Sequence, residues 1–135
     1  MAYDVFRLTA LQAAAVATGN GTAMDVAGYG AVGVQIQGIT TATVVFEGTI
    51  DGFTWVTVPG LDASSVRQTG ATADGVFWVN AAGLSKFRAR ISAWTTGTIN
   101  ITGVAIPDAL VVCMPISAIP AGSATIGTVL LGAGT

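Results

Sequence analysis

The chain has 135 residues, a net charge of −2 and no histidine. It therefore lacks both the basic footprint of a nucleic-acid binder and the commonest general base and metal ligand. Hydrophobic residues make up 52% and charged residues only 9%, yet no apolar run reaches the ~18 residues of a membrane-spanning helix. This length is about one domain, and so sparsely charged a surface points to a subunit partly covered by other protein.

The N-terminal residues carry Asp4 and Arg7 early, without the charged-then-apolar pattern of a signal peptide. Roughly eight strands are expected between Leu8 and Ile106, separated by turns at sandwich-like spacing. The Ala-rich stretch from Leu11 to Ala17 leaves a short helix as the rival reading. Asn20-Gly21 turns into a strand at Thr22 to Val26, and Gly28-Tyr29-Gly30 turns into Val32, Val34 and Ile36, which alternate with Gly33, Gln35 and Gln37. Such period-2 alternation marks a half-buried strand. Gly28 to Gly33 also fits a dinucleotide fingerprint, but no strand-helix-strand unit surrounds it.

Next comes Ala42 to Trp55 with Asp51-Gly52 at its centre, a dipeptide preferred in tight hairpins. Ala42, Val44, Phe46, Gly48 and Ile50 share the expected inner face, and Thr43, Glu47 and Thr49 face away. A two-residue loop pairs Ile50 with Phe53 and sets Gly48 opposite Trp55, making room for the indole in the core. A longer, bulged loop shifts that register by one. The stretch from Leu61 to Asp74 reads as a loop with one weak strand near Ser65 to Gln68, followed by a strand at Val76 to Asn80.

The following strand runs from Lys86 to Trp94 with Phe87, Ala89, Ile91 and Ala93 inward. Lys86, Arg88 and Arg90 then line its outer face with Trp94, either as a solvated strip or as a contact stripe for an acidic neighbour or glycan; we favour subunit contact. Thr95-Thr96-Gly97 reads as a turn into Thr98 to Thr102. Trp55, Trp78 and Trp94 are a possible sugar platform, though core packing is the commoner use of tryptophan.

Strands follow strands, so the expected fold is an all-β antiparallel sandwich, residues 1–106, with a short N-terminal arm. Residues 107–135 form an expected extended C-terminal arm. Pro107, Pro115 and Pro120 punctuate its apolar pieces and oppose a central strand. The arm either completes the sandwich edge or reaches a neighbouring subunit. The lone Cys113, in an apolar run, reads as a buried small hydrophobe. Asp51, Asp62 and Asp74 read as turn residues. No residue set singles out a catalytic, cofactor or metal site, so the chain is not expected to be an enzyme.

Three phrases resemble a widespread type of tailed-bacteriophage virion protein. They are Ala17-Thr18-Gly19-Asn20-Gly21-Thr22-Ala23-Met24-Asp25-Val26-Ala27-Gly28-Tyr29-Gly30, then Phe46-Glu47-Gly48-Thr49-Ile50-Asp51-Gly52-Phe53-Thr54-Trp55, and Leu84 to Gly97. The tail phrases Ile119-Pro120-Ala121-Gly122 and Ile126-Gly127-Thr128-Val129 resemble segments of phage structural proteins as well. The resemblance implies a β-sandwich, often of jelly-roll type, and a structural role in capsid decoration, head fibres, tails or baseplates.

The short chain favours a capsid decoration (cement) protein, made in the host cytoplasm and carried on the virion's capsid surface. The expected partners are the major capsid protein and copies of itself in a homotrimer, without nucleic acid or membrane. A receptor- or glycan-binding module of a tail fibre or baseplate, or another tail or head-closure subunit, is the alternative. Expected contact residues are Tyr3, Phe6 and Leu8 at the start, Lys86, Arg88 and Arg90 in the middle, and Leu110, Val112, Met114, Ile119, Ile126, Val129 and Leu130 in the tail.

Overall fold

A computed structural model describes residues 7–108, and every structural statement below concerns those residues. They form nine strands and no helix: β1 (Arg7–Ala15), β2 (Met24–Asp25), β3 (Ala31–Thr49), β4 (Val56–Thr57), β5 (Gly60–Leu61), β6 (Arg67–Gln68), β7 (Gly70–Ala71), β8 (Gly75–Asn80) and β9 (Lys86–Ile106). All pairings are antiparallel, and the fold is the expected all-β, sandwich-like one.

Its spine is one long ladder between β3 and β9, from Ala31 opposite Ile106 to Thr49 opposite Lys86. The other strands flank this spine. β1 and β2 pair in turn along the free edge of β9; β8, β7 and β4 do so along β3, and β5 and β6 extend beyond β8.

Register shifts interrupt the ladder between Gln37 and Val44. There Gly38 (φ +94°) and Gly97 (φ +121°) occupy backbone conformations that favour glycine. A Cβ at Gly97 would lie 2.5 Å from the Gly38 carbonyl oxygen, so only bare backbone allows this approach. Asp74 secures the irregularity by accepting hydrogen bonds from the Gly38 and Ile39 amides, at 3.0 and 2.8 Å.

The two halves of the ladder close on one core. Phe46, in the second half of β3, packs on Phe77 of β8, which pairs with the first half, at a ring separation of 5.1 Å. Phe87 joins Phe46 at 6.3 Å. Val32, Val34, Ile36, Val44, Phe46, Val79, Phe87, Ala89, Ile99 and Ile101 are all buried, each large side chain contributing about 1.5–3 kcal/mol.

Several details depart from the sequence expectations. The Ala-rich start is strand, not helix, because Leu11 is drawn fully into the core and β9 supplies its ladder partners. Thr95-Thr96-Gly97 is no turn: β9 continues through it as an irregular strand. An extra residue at Ser92 inverts the alternation, so Ala93 is exposed and Trp94 turns towards the core.

The Asp51-Gly52 loop is longer than two residues, and Gly48 pairs with Val56. Ile50 and Phe53, expected to pair, instead stand in solvent at 75% and 88% exposure. The space at Gly48 is taken by Leu84, 2.7 Å from where a Cβ would sit, and not by Trp55. Glu47 and Thr49, expected outside, are buried.

Candidate functional site

The expected cationic stripe exists, but it is largely consumed within the molecule. Alternation along β9 brings Arg88 and Arg90 to one face, and cross-strand pairing sets Arg88 opposite Glu47. Arg88 Nε donates to Glu47 Oε1 at 2.8 Å and Arg90 Nε donates to Oε2 at 3.0 Å. Glu47 is only 7% exposed. A carboxylate so desolvated is stable only while its partners remain, and breaking such a buried pair costs about 3–5 kcal/mol.

Trp55 lies over the Arg88 guanidinium, 4.1 Å from ring centre to Cζ. The indole expected as a core anchor is therefore a half-buried cover on an ion pair. Sequence reasoning missed this because the one-residue shift in the loop decides where Trp55 sits. Lys86 donates to Asp25 Oδ1 across β9 and β2. That contact holds the Asp25 carboxyl below its ordinary value.

The loop beyond β3 is also tied internally. Asp51 Oδ1 accepts from the Phe53 and Thr54 amides at 2.8 and 2.7 Å and from the Thr49 hydroxyl at 2.9 Å. The Thr54 and Phe53 amides, first and second in effect, push the Asp51 carboxyl far below the usual carboxylate range. Asp62 organises its own loop through the Ser64 and Val66 amides and Gln68, and is lowered chiefly by the Val66 amide. Asp51 and Asp62 do the structural work expected of turn residues, whereas Asp74, also expected in a turn, holds the ladder's bend across the chain.

Other expected contact residues divide between two places. Leu8 is on β1 and 64% exposed. Tyr3, Phe6, Leu110, Val112, Met114, Ile119, Ile126, Val129 and Leu130 lie outside the described residues, as does Cys113. The chain nevertheless enters and leaves the fold at one corner: Arg7 is opposite Ala105, and Ile106 follows beside it. Trp78 is outward on β8 and 40% exposed, not in the core.

An open groove of about 560 Å³ runs between β3 and the loops that precede β8, with Thr43, Asp62, Ser64 and Thr72 on its walls. It shares Thr43 and Thr72 with a smaller trough of about 270 Å³ beside Trp94. Among the described residues no cluster of three His, Cys, Asp or Glu side chains is placed to hold a metal ion. No helix of the described residues is long and apolar enough to cross a membrane.

No protein-family model matches the chain, and no curated protein matches it. Its fold is shared with two solved structures. YomS, derived from the SPBc2 prophage, superposes with a TM-score of 0.68 at 16% identity, covering 78% of this chain and 98% of YomS. The PBSX exported protein XepA superposes with a TM-score of 0.70 at 16% identity, over 78% of this chain but only 40% of XepA. The chain thus has the fold of phage-derived proteins.

Proposed function

We propose that the protein is a structural component of a tailed-phage particle: a capsid decoration protein that binds between shell subunits through its terminal segments. The observation that carries this reading is the common exit corner. Arg7 and Ala105 are ladder partners, so the described chain begins and ends at one corner, next to the exposed Leu8 and Ile106. Residues 1–6 and 109–135 hold apolar residues suited to a partner surface, and the described fold is tied up by its own ion pairs. The phage-derived fold relatives support the particle, and the phrases near Ala17, Phe46 and Leu84 support a virion role.

The mechanism is linkage. A protein that binds only the assembled shell stabilises that shell by the free energy of its own binding. Heads assembled without the protein, titrated with full-length chain and with chain ending at Pro107, test this. Full-length chain should bind and raise the temperature of head disruption, while the shortened chain should keep its β-sheet spectrum and fail to bind. Equal binding by both would refute the arm-mediated reading.

A second reading has one observation in its favour. The groove carries hydroxyls from Thr43, Ser64 and Thr72 with Asp62 beside them, and an indole borders the adjoining trough. Hydroxyl and carboxylate acceptors near an aromatic face suit a glycan, as in a receptor-binding module of a tail fibre or baseplate. Glycan-array binding by the full chain, abolished by Thr72→Trp, would favour this reading over decoration.

A further inference from the structure

Two apolar surfaces stand out among the described residues. One is the outer face of the first half of the ladder, where Leu8, Val104, Gly33, Trp78 and Leu61 pair in one uncharged row across β1, β9, β3, β8 and β5. It lies flat on the sheet. The other projects from the loop that joins β3 to β4, where Ile50 is 75% exposed and Phe53 is 88% exposed. Single exposed apolar residues are ordinary, but two large ones at the tip of one ordered loop form a candidate anchor.

Bonds within the loop hold that tip in one shape. Asp51 Oδ1 accepts from the Phe53 and Thr54 amides and from the Thr49 hydroxyl, and the Gly52 amide donates to Thr49 Oγ1 at 3.0 Å. Gly52, at φ +87°, supplies the left-handed step that the turn needs. At the root of the loop Trp55 is held over Arg88. A side chain carried on so fixed a backbone loses little conformational freedom when a partner buries it.

The loop also lies at the end of the sandwich where the described chain enters and leaves. Backbone hydrogen bonds lead from one end of the ladder to the other. Gly30 donates to the Ile106 carbonyl at 2.8 Å, Ala81 to that of Gly30 at 2.9 Å and Leu84 to that of Ala81 at 3.0 Å. Ser85, next in the chain, donates to the Thr49 carbonyl at 2.8 Å. Thr49 and Ile106 therefore share one end, and the glycine bend is at the other.

We infer that Ile50 and Phe53 are a docking knob for an apolar pocket with a basic rim on a protein partner. That the partner is a shell subunit rests on the function proposed above; the chemistry of the pocket does not. Asp51 stands exposed between the two apolar side chains, and the loop amides keep its carboxyl ionised. The cations closest in register do not offset it: Lys86, opposite Thr49, is bonded to Asp25, and Arg88, opposite Glu47, to Glu47 itself. A carboxylate set between two apolar anchors matches a pocket edged by Lys or Arg. The same charge disfavours a membrane, because interfacial anchors present basic side chains to anionic headgroups.

The test uses the full chain titrated onto heads and, separately, onto tails from phage made without the protein. On whichever binds the wild type, Phe53→Ser should weaken binding at least about tenfold and Ile50→Ser about threefold or more, as for anchor residues of an interface. Val66→Ser, at another exposed apolar position, should leave binding unchanged. The thermal midpoint of Phe53→Ser should match the wild type, since the ring is not packed. Asp51→Asn keeps the acceptor oxygen and removes the charge, so it should flatten the salt dependence of binding.

Equal binding by Phe53→Ser and wild type on heads would overturn the knob and leave the decoration reading standing. Binding to tails alone would overturn decoration, and the Phe53→Ser comparison there would still decide the knob. Binding to neither, an equal loss in Val66→Ser, or an unchanged salt dependence in Asp51→Asn would overturn the inference. So would binding of the wild type, but not of Phe53→Ser, to phosphatidylcholine–phosphatidylglycerol vesicles.

Discussion

The two halves of the β3–β9 ladder use the same pair of strands and treat their outer faces in opposite ways. The half from Val44 to Thr49 and Lys86 to Ile91 covers itself: Glu47 accepts from Arg88 and Arg90, and Trp55 closes over Arg88. The half from Ala31 to Gln37 and Ile99 to Ile106 has no charge, and its outer face leaves Val76, Trp78 and Ile106 partly exposed. A charged cluster sealed by its own fold can stabilise the domain but has little left to offer a partner. The uncharged face contributes little to the folded domain until something lies on it, and the chain's ends leave the fold beside it.

The contrast can be broken most strongly at Glu47. Glu47→Ala leaves two arginines without their carboxylate and should cost about 3–5 kcal/mol, seen as a lower denaturant midpoint. Trp55→Ala should cost less, about 0.5–2 kcal/mol, because it removes a cation–π contact and exposes the Arg88–Glu47 pair to water. If the sealed half has been read correctly, both losses should be nearly insensitive to salt, since burial limits screening.

On the bare face, in chain shortened to end at Pro107, Val76→Thr should change stability by no more than about 0.5 kcal/mol, as for other surface substitutions away from a packed site. A loss as large as that of Trp55→Ala would mean that the face is already packed in a way the ladder does not show.

The smallest effect is one of pH. The Asp25, Asp51 and Asp62 carboxyls are all held below their ordinary value of 3.8. Groups lowered in the folded state stabilise it above the unfolded pKa and lose that contribution as pH falls through the folded one. Stability should therefore be level from neutral pH to about pH 5 and decline below about pH 4. Asp51→Asn should blunt the acid decline while leaving its onset set by the remaining carboxyls.

The alternation of Val32, Val34 and Ile36, and of Phe87, Ala89 and Ile91, was enough to give strands, an antiparallel sheet and most of the core, because burial on one face imposes period two on the sequence. What alternation does not encode is an irregular step. The extra residue at Ser92 turned Trp94 inward, and the one-residue shift at the Asp51 loop moved Trp55 from a supposed core site onto Arg88. The Ser92 step is set by long-range pairing beside the glycine-permitted bend, so no local window contains it. The Asp51 loop is closed by its own bonds among Thr49, Asp51, Phe53 and Thr54, a choice of loop length that the Asp-Gly dipeptide alone does not make.

The cationic stripe was visible as residues on one face, but not its neutralisation, because Glu47 seemed to be a solvated partner position. The bare face depends on a register joining five strands, which sequence spacing alone does not supply. Of the contact residues expected in the arms, only Leu8 lies among the described residues.

The claim that the ends do the binding is tested most directly by a cryo-EM map of the parent phage particle. The account predicts this fold on the outside of the head, at junctions between shell subunits. There the corner of Arg7 and Ala105 should turn towards the shell. Density at the tail or baseplate instead, or a domain on the head with that corner facing solvent and its contacts made through the Glu47–Arg88 face, would contradict it.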